Sequence, residues 1–304
     1  MELNKFKGVF PAFYACYDAN GNIDEKKCEK LTQFYIDKKV KGLYVCGSSG
    51  ECIYQTVADR KKTLEAVMRV AKGKLVIIAH VACNNTEESR ELAAHAEKLG
   101  VDAIASIPPI YFRLPEYAIA NYWNDISAAA PNTPFIIYNI PQLAGVSLTN
   151  NLLKEMLKNK NCIGVKNSSM PVQDIETYKM IGGKDFIVFN GPDEQLVSGL
   201  AMGADGCIGG TYGVMVDLYL KIFDLCKENK YPEAVKIQYD CTNIIFKMCS
   251  CKGNMYAVIK EILRRRDGVD CGGVRKPLFS LVKEDDATVQ ECVKLIDDAY
   301  KKYL

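Results

Sequence analysis

Two hydrophobic patterns alternate along most of the chain. Short runs rich in β-branched and aromatic residues predict strands, and amphipathic segments between them predict helices. The predicted strands span residues 8–14, 42–46, 75–81, 103–107, 135–139, 163–166, 186–190 and 206–208. The predicted helices span residues 24–38, 57–71, 86–99, 115–129, 149–157, 172–181 and 194–202, and an eighth begins near Val214.

Eight strands, each followed by a helix, predict an α/β fold of the (β/α)8 TIM barrel type. An open doubly wound sheet is the alternative, but the first strand is not followed by the Gly-x-Gly-x-x-Gly turn of a dinucleotide site. Beyond residue 230 only helical patterns remain, at 231–248, 255–265 and 287–303. We therefore expect a barrel catalytic domain in residues 1–230 and a C-terminal helical extension in residues 231–304.

Local sequence also predicts how individual helices begin and end. Thr56, followed by Asp59 three residues later, has the spacing of a capped helix start. The basic run at residues 264–266 is more typical of a solvated helix end or of subunit salt bridges than of a binding patch.

Charge and composition exclude several classes of function. The 39 Lys and Arg residues against 37 Asp and Glu leave a formal charge of +2, too balanced for a nucleic-acid partner. No apolar run reaches the ~18 residues that a membrane span needs. The opening Met-Glu-Leu-Asn-Lys lacks the pattern of a secretory signal. We therefore expect a cytoplasmic protein with neither nucleic-acid nor membrane partners.

The thirteen cysteines are odd in number and scattered over a long chain, which favours reduced thiols over a disulfide framework. The tightest cluster contains Cys249 and Cys251 and has no CxxC pair, and both histidines lie far from it in sequence. We therefore expect no metal site.

In a barrel, functional groups come from the C-terminal ends of the strands and from the loops that follow. The second strand leads into Gly47-Ser48-Ser49-Gly50-Glu51, whose hydroxyl and N–H groups suit a carboxylate ligand, although such clusters are mostly turns. The fifth strand ends at Tyr138, a candidate acid or base if a cation or hydrogen bonds lower its pKa, or else a core tyrosine.

The remaining strand ends carry an amine, two carboxylates and several glycines. Lys166 closes an otherwise apolar sixth strand, and desolvation at the mouth would leave a neutral amine suited to Schiff-base chemistry; a solvated lysine is the alternative. Asp193 and Glu194 open the helix after the seventh strand, where they could cap it or bind the hydroxyls of a sugar. Gly210, after the eighth strand, lets a ligand approach the backbone, but it does not indicate which ligand.

Four segments taken together are more specific than any one of them. Residues 47–51, 138–141, 165–168 and 191–194 resemble the pyruvate-dependent class I aldolases of the dihydrodipicolinate synthase and N-acetylneuraminate lyase family, over nearly the whole chain. The resemblance implies Schiff-base catalysis that requires neither a metal nor an organic cofactor.

The resemblance also implies roles for individual residues. Lys166 would form the Schiff base with pyruvate, and Tyr138 would relay protons at the bond being made or broken. Ser48 and Ser49 would bind the pyruvate carboxylate. Tyr111 matches a tyrosine that members lend to a neighbouring subunit, which implies a homotetramer.

Two features of the resemblance bear on the substrate. Dihydrodipicolinate synthases usually carry an arginine shortly after Tyr-Asn-x-Pro, whereas this chain has Gln142-Leu143-Ala144-Gly145. The lyases carry an acidic pair like Asp193 and Glu194, and their substrate also contacts the equivalents of Ser168 and Gly191.

The resemblance therefore favours cleavage of N-acetylneuraminate to N-acetylmannosamine and pyruvate. One departure is Gly210, where lyases often have serine. A sibling aldolase remains the alternative, either a 4-hydroxy-tetrahydrodipicolinate synthase or a 2-keto-3-deoxy sugar acid aldolase. A sensor that binds a keto acid or sugar acid without turnover is the other.

Overall fold

A computed structural model describes residues 3–304, which form eight parallel strands and twelve α-helices. Met1 and Glu2 lie outside the described residues. They belong to the predicted barrel domain and to the opening segment that lacks the pattern of a secretory signal. The strands are β1 (Val9–Pro11), β2 (Gly42–Val45), β3 (Val76–His80), β4 (Ala103–Ser106), β5 (Phe135–Asn139), β6 (Cys162–Asn167), β7 (Ile187–Asn190) and β8 (Gly206–Gly209).

Each strand pairs in parallel with its neighbours in the order β1-β8-β7-β6-β5-β4-β3-β2. A single bridge between Ala12 and Tyr44 joins β1 to β2 and closes the ring. The predicted (β/α)8 barrel is therefore confirmed.

The helices alternate with the strands until β8. They are α1 (Glu25–Asp37), α2 (Val57–Ala71), α3 (Thr86–Leu99), α4 (Glu116–Ala128), α5 (Pro141–Ala144), α6 (Asn150–Met156), α7 (Gln173–Gly182), α8 (Leu196–Ala201), α9 (Val216–Lys227), α10 (Tyr231–Cys249), α11 (Met255–Asp267) and α12 (Asp286–Tyr303). None of the described helices is long and apolar enough to span a bilayer.

Most predicted elements differ from the observed ones only at their ends. The first strand is shorter than predicted because the chain beyond Ala12 leaves the sheet, and Tyr17 N then donates to Cys271 O at 3.0 Å. The short helix α5 was not predicted. The predicted capping box is confirmed, since Asp59 N donates to Thr56 Oγ1 at 3.1 Å and Thr56 N donates to Asp59 Oδ2 at 3.2 Å.

Alternate residues of the strands fill the barrel with side chains. Phe10, Tyr44, Ile136 and Phe189 belong to this interior cluster, and the rings of Phe10 and Phe189 meet edge to face at 5.5 Å between centroids. Because the interior is packed, the described barrel has no open channel along its axis, and the C-terminal ends of its strands are where a barrel of this type places its site.

The C-terminal helices pack on the barrel as well as on one another. α10 begins at Tyr231, where the predicted extension begins, and it contacts α8 and α9. The arginines at 264–266 form ion pairs within the chain, with Glu261, Asp267, Asp286 and Asp297. The division into a barrel domain and an extension stays a prediction.

Candidate active site

The C-terminal ends of the strands surround a pocket of about 300 Å³, within the size range of small-molecule sites. Nine of the predicted site residues line it: Ser48, Ser49, Tyr138, Lys166, Ser168, Gly191, Asp193, Glu194 and Gly210. Helices α10 and α11 form one wall through Ile245, Met255, Tyr256 and Ile259. The C-terminal helices therefore help to build the pocket, which the sequence did not indicate.

Lys166 lies near the end of β6 and is almost fully buried, with 5% of its surface exposed. Its Nζ lies 3.9 Å from the ring centroid of Tyr138 and 4.3 Å from that of Tyr44. Burial lowers the pKa of Lys166 to about 7, although the Asp193 carboxylate acts in the opposite direction. A large fraction of the amine is therefore unprotonated and nucleophilic near neutral pH.

Tyr138, on β5, is paired in register with Lys166 on β6. Burial raises the pKa of Tyr138 to about 12, while the side chains of Ser48 and Ser168 act in the opposite direction. The phenol is therefore protonated at neutral pH before a ligand binds. An acid–base role for Tyr138 was predicted on the condition that its pKa is lowered. The chain alone does not meet this condition, because burial raises the pKa by more than the hydroxyl groups of Ser48 and Ser168 lower it.

The hydroxyl loop after β2 turns tightly over the interior of the barrel. Ser48, Ser49 and Gly50 form one 3-10 turn, in which Gly50 N donates to Gly47 O at 3.0 Å. A Cβ on Gly47 would lie 2.6 Å from a ring carbon of Tyr44, so only glycine permits this close approach. The loop therefore sits directly above the aromatic rings that surround Lys166.

Glu51 anchors the hydroxyl loop through a buried network. Its Oε1 accepts a hydrogen bond from Lys260 Nζ at 2.7 Å, and both side chains are essentially inaccessible, at 0% and 1%. Its Oε2 accepts from Arg275 N at 2.8 Å and from the Tyr17 hydroxyl at 3.2 Å. Lys260 lies on α11, so one carboxylate fastens the loop to the C-terminal helices.

Glu51→Gln should lower the free energy of unfolding by about 3 kcal/mol, because it leaves the Lys260 ammonium buried and unpaired. Urea unfolding followed by circular dichroism measures this. As a control, the double variant Glu51→Gln with Lys260→Met should recover much of the loss, since no charge remains buried. A Glu51→Gln variant as stable as the parent would contradict the role given to this ion pair.

Asp193 begins a 3-10 turn before α8 and is buried at the pocket wall. Its Oδ2 accepts hydrogen bonds from the Thr211 N–H and from the Thr211 hydroxyl, both at 2.6 Å. The carboxylate thus ties the loop after β7 to the loop after β8 and does not cap α8. Burial raises the pKa of Asp193 to about 6, against the opposing effect of Thr211. The adjacent Glu194 is exposed at the rim of the pocket.

Four small residues, Ser49, Ser168, Gly191 and Gly210, bring these loops together. A Cβ on Gly191 would lie 2.0 Å from Ser168 Oγ, so the two residues are in direct contact. A Cβ on Gly210 would lie 3.1 Å from Ser49 Oγ. The Gly210 carbonyl also accepts a hydrogen bond from the Tyr14 hydroxyl at 2.5 Å. The backbone at Gly210 therefore forms part of the wall beside the hydroxyl loop.

Residues 3–304 contain no group of three or more His, Cys, Asp and Glu side chains placed to hold a metal ion. The chemical resources of the pocket are a buried amine, a phenol, serine hydroxyls and two carboxylates. Such a set can form an imine with a keto acid and transfer protons next to it.

Comparison with known proteins agrees with this arrangement. The dihydrodipicolinate synthetase family matches residues 5–296. An N-acetylneuraminate lyase of Mediterraneibacter gnavus is 64% identical over 302 residues, which cover 99% of this chain and 96% of the relative. The chain belongs to the dihydrodipicolinate synthetase family. The resemblance drawn from the four motifs is confirmed.

Solved structures related to this member of the dihydrodipicolinate synthetase family share its whole fold. A Ruminococcus gnavus sialic acid aldolase, a catalytic lysine mutant, has a TM-score of 0.99 at 64% identity and covers 100% of this chain and 99% of its own. An N-acetylneuraminate lyase of Fusobacterium nucleatum has a TM-score of 0.87 at 32% identity, with 99% of both chains covered.

One predicted residue lies away from the pocket of this family member. Tyr111 has a positive φ of 83° and is 90% exposed, and its ring packs against Phe112, which is 72% exposed. Within a single chain it takes no part in the pocket.

Three residues that shape the site were not among those predicted from the sequence. Tyr44 lies under Lys166, Tyr256 lines the wall, and Glu51 anchors the hydroxyl loop. Tyr44 could have been found, because it is the inward-facing polar aromatic of a strand whose neighbours are aliphatic. The contact of Glu51 with Lys260 spans 209 residues and has no local signal.

Proposed function

We propose that this chain cleaves N-acetylneuraminate to N-acetylmannosamine and pyruvate through a Schiff base on Lys166. The observation that carries the proposal is a buried amine with a pKa of about 7, set against Tyr138 in a pocket that also contains Ser48, Ser49 and Asp193. The proposal is supported by 64% identity to an N-acetylneuraminate lyase over nearly the full chain. The enzyme is then a carbon–carbon lyase of the class I aldolase type.

The first step forms the imine. Ser48 and Ser49 hold the carboxylate of the open-chain sugar acid, which places its C2 ketone at Lys166. The neutral amine adds to the ketone and, with one proton taken up from solvent, the ketone oxygen leaves as water and a protonated imine remains. Binding fixes the geometry of attack, and the low pKa of Lys166 supplies the nucleophile at neutral pH.

The second step breaks the C3–C4 bond. Tyr138 accepts the C4 hydroxyl proton while passing its own proton to the substrate carboxylate, so a phenol with a raised pKa need not ionise beforehand. The C3–C4 electron pair moves into the imine, N-acetylmannosamine leaves as the aldehyde, and an enamine remains. Protonation at C3 and hydrolysis of the imine then release pyruvate and restore the amine.

The rate of imine formation should depend on pH through Lys166. Because the attacking amine must be unprotonated, the rate constant should fall about tenfold for each pH unit below about 7 and level off above it. Borohydride trapping after short incubation with pyruvate, from pH 5 to pH 9, measures this. In Asp193→Asn the midpoint of this pH profile should move to lower pH, since the carboxylate raises the pKa of Lys166. A rate constant that does not change between pH 5 and pH 8 would exclude a titrating amine.

Asp193→Asn should raise the KM for N-acetylneuraminate by roughly tenfold to a hundredfold, the scale of a lost hydrogen bond to a charged group. Imine formation with pyruvate at pH 8 should persist, because pyruvate lacks the polyol that Asp193 is proposed to orient. The variant Glu194→Gln is the control, since it removes a neighbouring charge at the exposed rim of the pocket, and it should raise this KM by less than Asp193→Asn does. An Asp193 variant that loses imine formation as completely as it loses sugar cleavage would show that this carboxylate only supports the fold.

A substrate panel tests the assignment of the sugar acid. Purified protein is incubated with N-acetylneuraminate and with 2-keto-3-deoxy sugar acids, and pyruvate release is measured; condensation of pyruvate with aspartate semialdehyde is measured in parallel. N-acetylneuraminate should have the highest kcat/KM. A higher value for another acid, or for the condensation, would identify a sibling aldolase. Absence of turnover with every substrate would identify a sensor.

The assembly proposed with this function is a homotetramer in which Tyr111 reaches a neighbouring subunit's pocket. The exposed pair of Tyr111 and Phe112, with the 71% exposed Tyr117 nearby in sequence, supports a contact surface there. Light scattering at micromolar concentration tests the assembly, and a monomer would refute it. The thirteen free thiols within residues 3–304 support a reducing cytoplasm as the compartment.

A further inference from the structure

A second cleft, larger than the active-site pocket, lies at the opposite end of the barrel. Its volume is about 670 Å³, and the segments that lead into β1, β2, β3 and β4 form its rim. Apolar side chains, including Val40, Leu75 and Phe223, form part of its lining. Because all strands run parallel, the packed interior of the barrel separates this cleft from Lys166.

Five lysines line this cleft, which we call the lysine cleft. Lys7 precedes β1, Lys39 and Lys41 precede β2, and Lys72 and Lys74 precede β3. Three separate segments of the chain therefore each contribute positive charge to the same cleft.

Little negative charge is available in the chain to balance these lysines. Asp102 also lines the cleft, but its Oδ1 is paired with Lys5 Nζ at 2.5 Å. Lys7 Nζ is 3.8 Å from Asp205, which Lys179 already holds at 2.8 Å. Among residues 3–304 no carboxylate lies within ion-pair distance of the other four cleft lysines.

The charge of the cleft stands out against the rest of the molecule. The whole chain carries a formal charge of only +2, so the five lysines of this cleft are a local concentration of positive charge on a chain that is otherwise close to balanced. The arginines at 264–266, by contrast, are paired with carboxylates of the same chain. A concave site with unbalanced like charges concentrates counter-ions of opposite sign.

We propose that the lysine cleft binds a small polyanion that carries two or more linked phosphate groups. Lysine ammonium groups bind phosphate oxygens as point charges, and a short phosphate chain is a compact way to match several of them. The cleft volume is that of a small-molecule site. A nucleic acid is disfavoured, because it needs a basic surface that continues beyond one cleft.

Lys39 offers a variant that removes charge without straining the fold. It follows the end of α1 with a left-handed φ of 58°, the conformation for which helix ends favour glycine. Lys39→Gly therefore suits the backbone while it removes one ammonium group. Asn229, which follows α9 with a φ of 59°, gives a matched control without a change of charge.

The test is calorimetric titration of the full chain with inorganic tripolyphosphate at low ionic strength, with pyruvate present to occupy the active-site pocket. We expect one site per chain, and at least a tenfold weaker affinity in the double variant Lys39→Gly with Lys74→Gln. A parallel titration with adenosine triphosphate shows whether the cleft recognises a nucleotide or only its phosphate chain. Tighter binding of adenosine triphosphate than of tripolyphosphate indicates a nucleotide ligand, and equal affinity for the two indicates a ligand recognised through its phosphate chain.

The control triple variant Asn229→Gly, Lys154→Gln and Lys160→Gln also removes two ammonium groups. It should bind within about twofold of the parent, because Lys154 and Lys160 are exposed lysines outside the cleft. The proposal fails if the parent does not bind tripolyphosphate. It fails equally if the cleft variant binds as well as the parent, if the control variant loses as much affinity, or if duplex DNA competes at equal phosphate concentration.

Discussion

Lys166→Ala should abolish turnover of N-acetylneuraminate, with kcat/KM reduced by more than about 10⁴-fold, as when a covalent nucleophile is lost in other enzymes. The expectation follows from the position of Nζ, 3.9 Å from the Tyr138 ring centroid, and from a pKa of about 7 that leaves the amine reactive. Without the amine no imine forms, and the electrons of the C3–C4 bond have no acceptor. Pyruvate release, measured with a coupled dehydrogenase, gives the result.

The fold should survive this change. Burial lowers the pKa of Lys166 from its ordinary value to about 7, which costs folding free energy at neutral pH, so replacing this lysine removes a destabilising group. Lys166→Met, which keeps the side-chain volume, should unfold at a higher urea concentration than the parent and should be equally inactive. Retained activity in either variant would rule out the Schiff base at this position.

Tyr138→Phe should lower kcat by roughly 10²–10⁴-fold, the usual span for a lost acid–base group. The ring would remain in place, packed edge to face with Tyr44 at 5.7 Å between centroids, so the pocket should keep its shape. Only the hydroxyl that is proposed to relay the C4 proton is removed.

Two measurements separate this relay from a merely structural tyrosine. Tyr138→Phe should still form a borohydride-reducible imine with pyruvate, because that step requires Lys166, while sugar cleavage becomes slow. Tyr44→Phe is the matched control, since it removes a buried hydroxyl from a neighbouring ring that the proposed proton relay does not use. If both variants kept the parent's kcat, the assignment of Tyr138 would be wrong.

The sequence predicted the barrel because the strand signal is local. Each strand is a short apolar run, and most observed strands agree with the prediction to within one or two residues. In a barrel the ends of neighbouring strands must meet, so once the strands are known the register of Tyr138 beside Lys166 follows almost directly.

What the sequence could not predict depends on contacts between distant segments. The Glu51–Lys260 ion pair joins the loop after β2 to α11. The hydrogen bond from the Thr211 hydroxyl to the Asp193 carboxylate joins two loops whose sequences are typical of ordinary turns. The charges show the same limit. A net charge of +2 excludes a global basic surface, yet it does not reveal five lysines gathered in one cleft.

The pKa of Tyr138 is a further case. From the sequence, Tyr138 was a candidate acid or base if a cation or hydrogen bonds lowered its pKa, or else a core tyrosine, whereas burial in the folded chain raises the pKa of Tyr138 to about 12. In the proposed mechanism, the protonated imine on Lys166 adds a lasting positive charge beside this ring.

The Schiff base on Lys166 is tested by borohydride reduction of the protein in the presence of pyruvate, followed by peptide mass analysis. We predict a single reduced pyruvate adduct on the peptide that contains Lys166, and no adduct on that peptide when Lys166 is replaced by alanine. An unmodified Lys166 peptide, or an adduct confined to another lysine while the protein still releases pyruvate from N-acetylneuraminate, would contradict it.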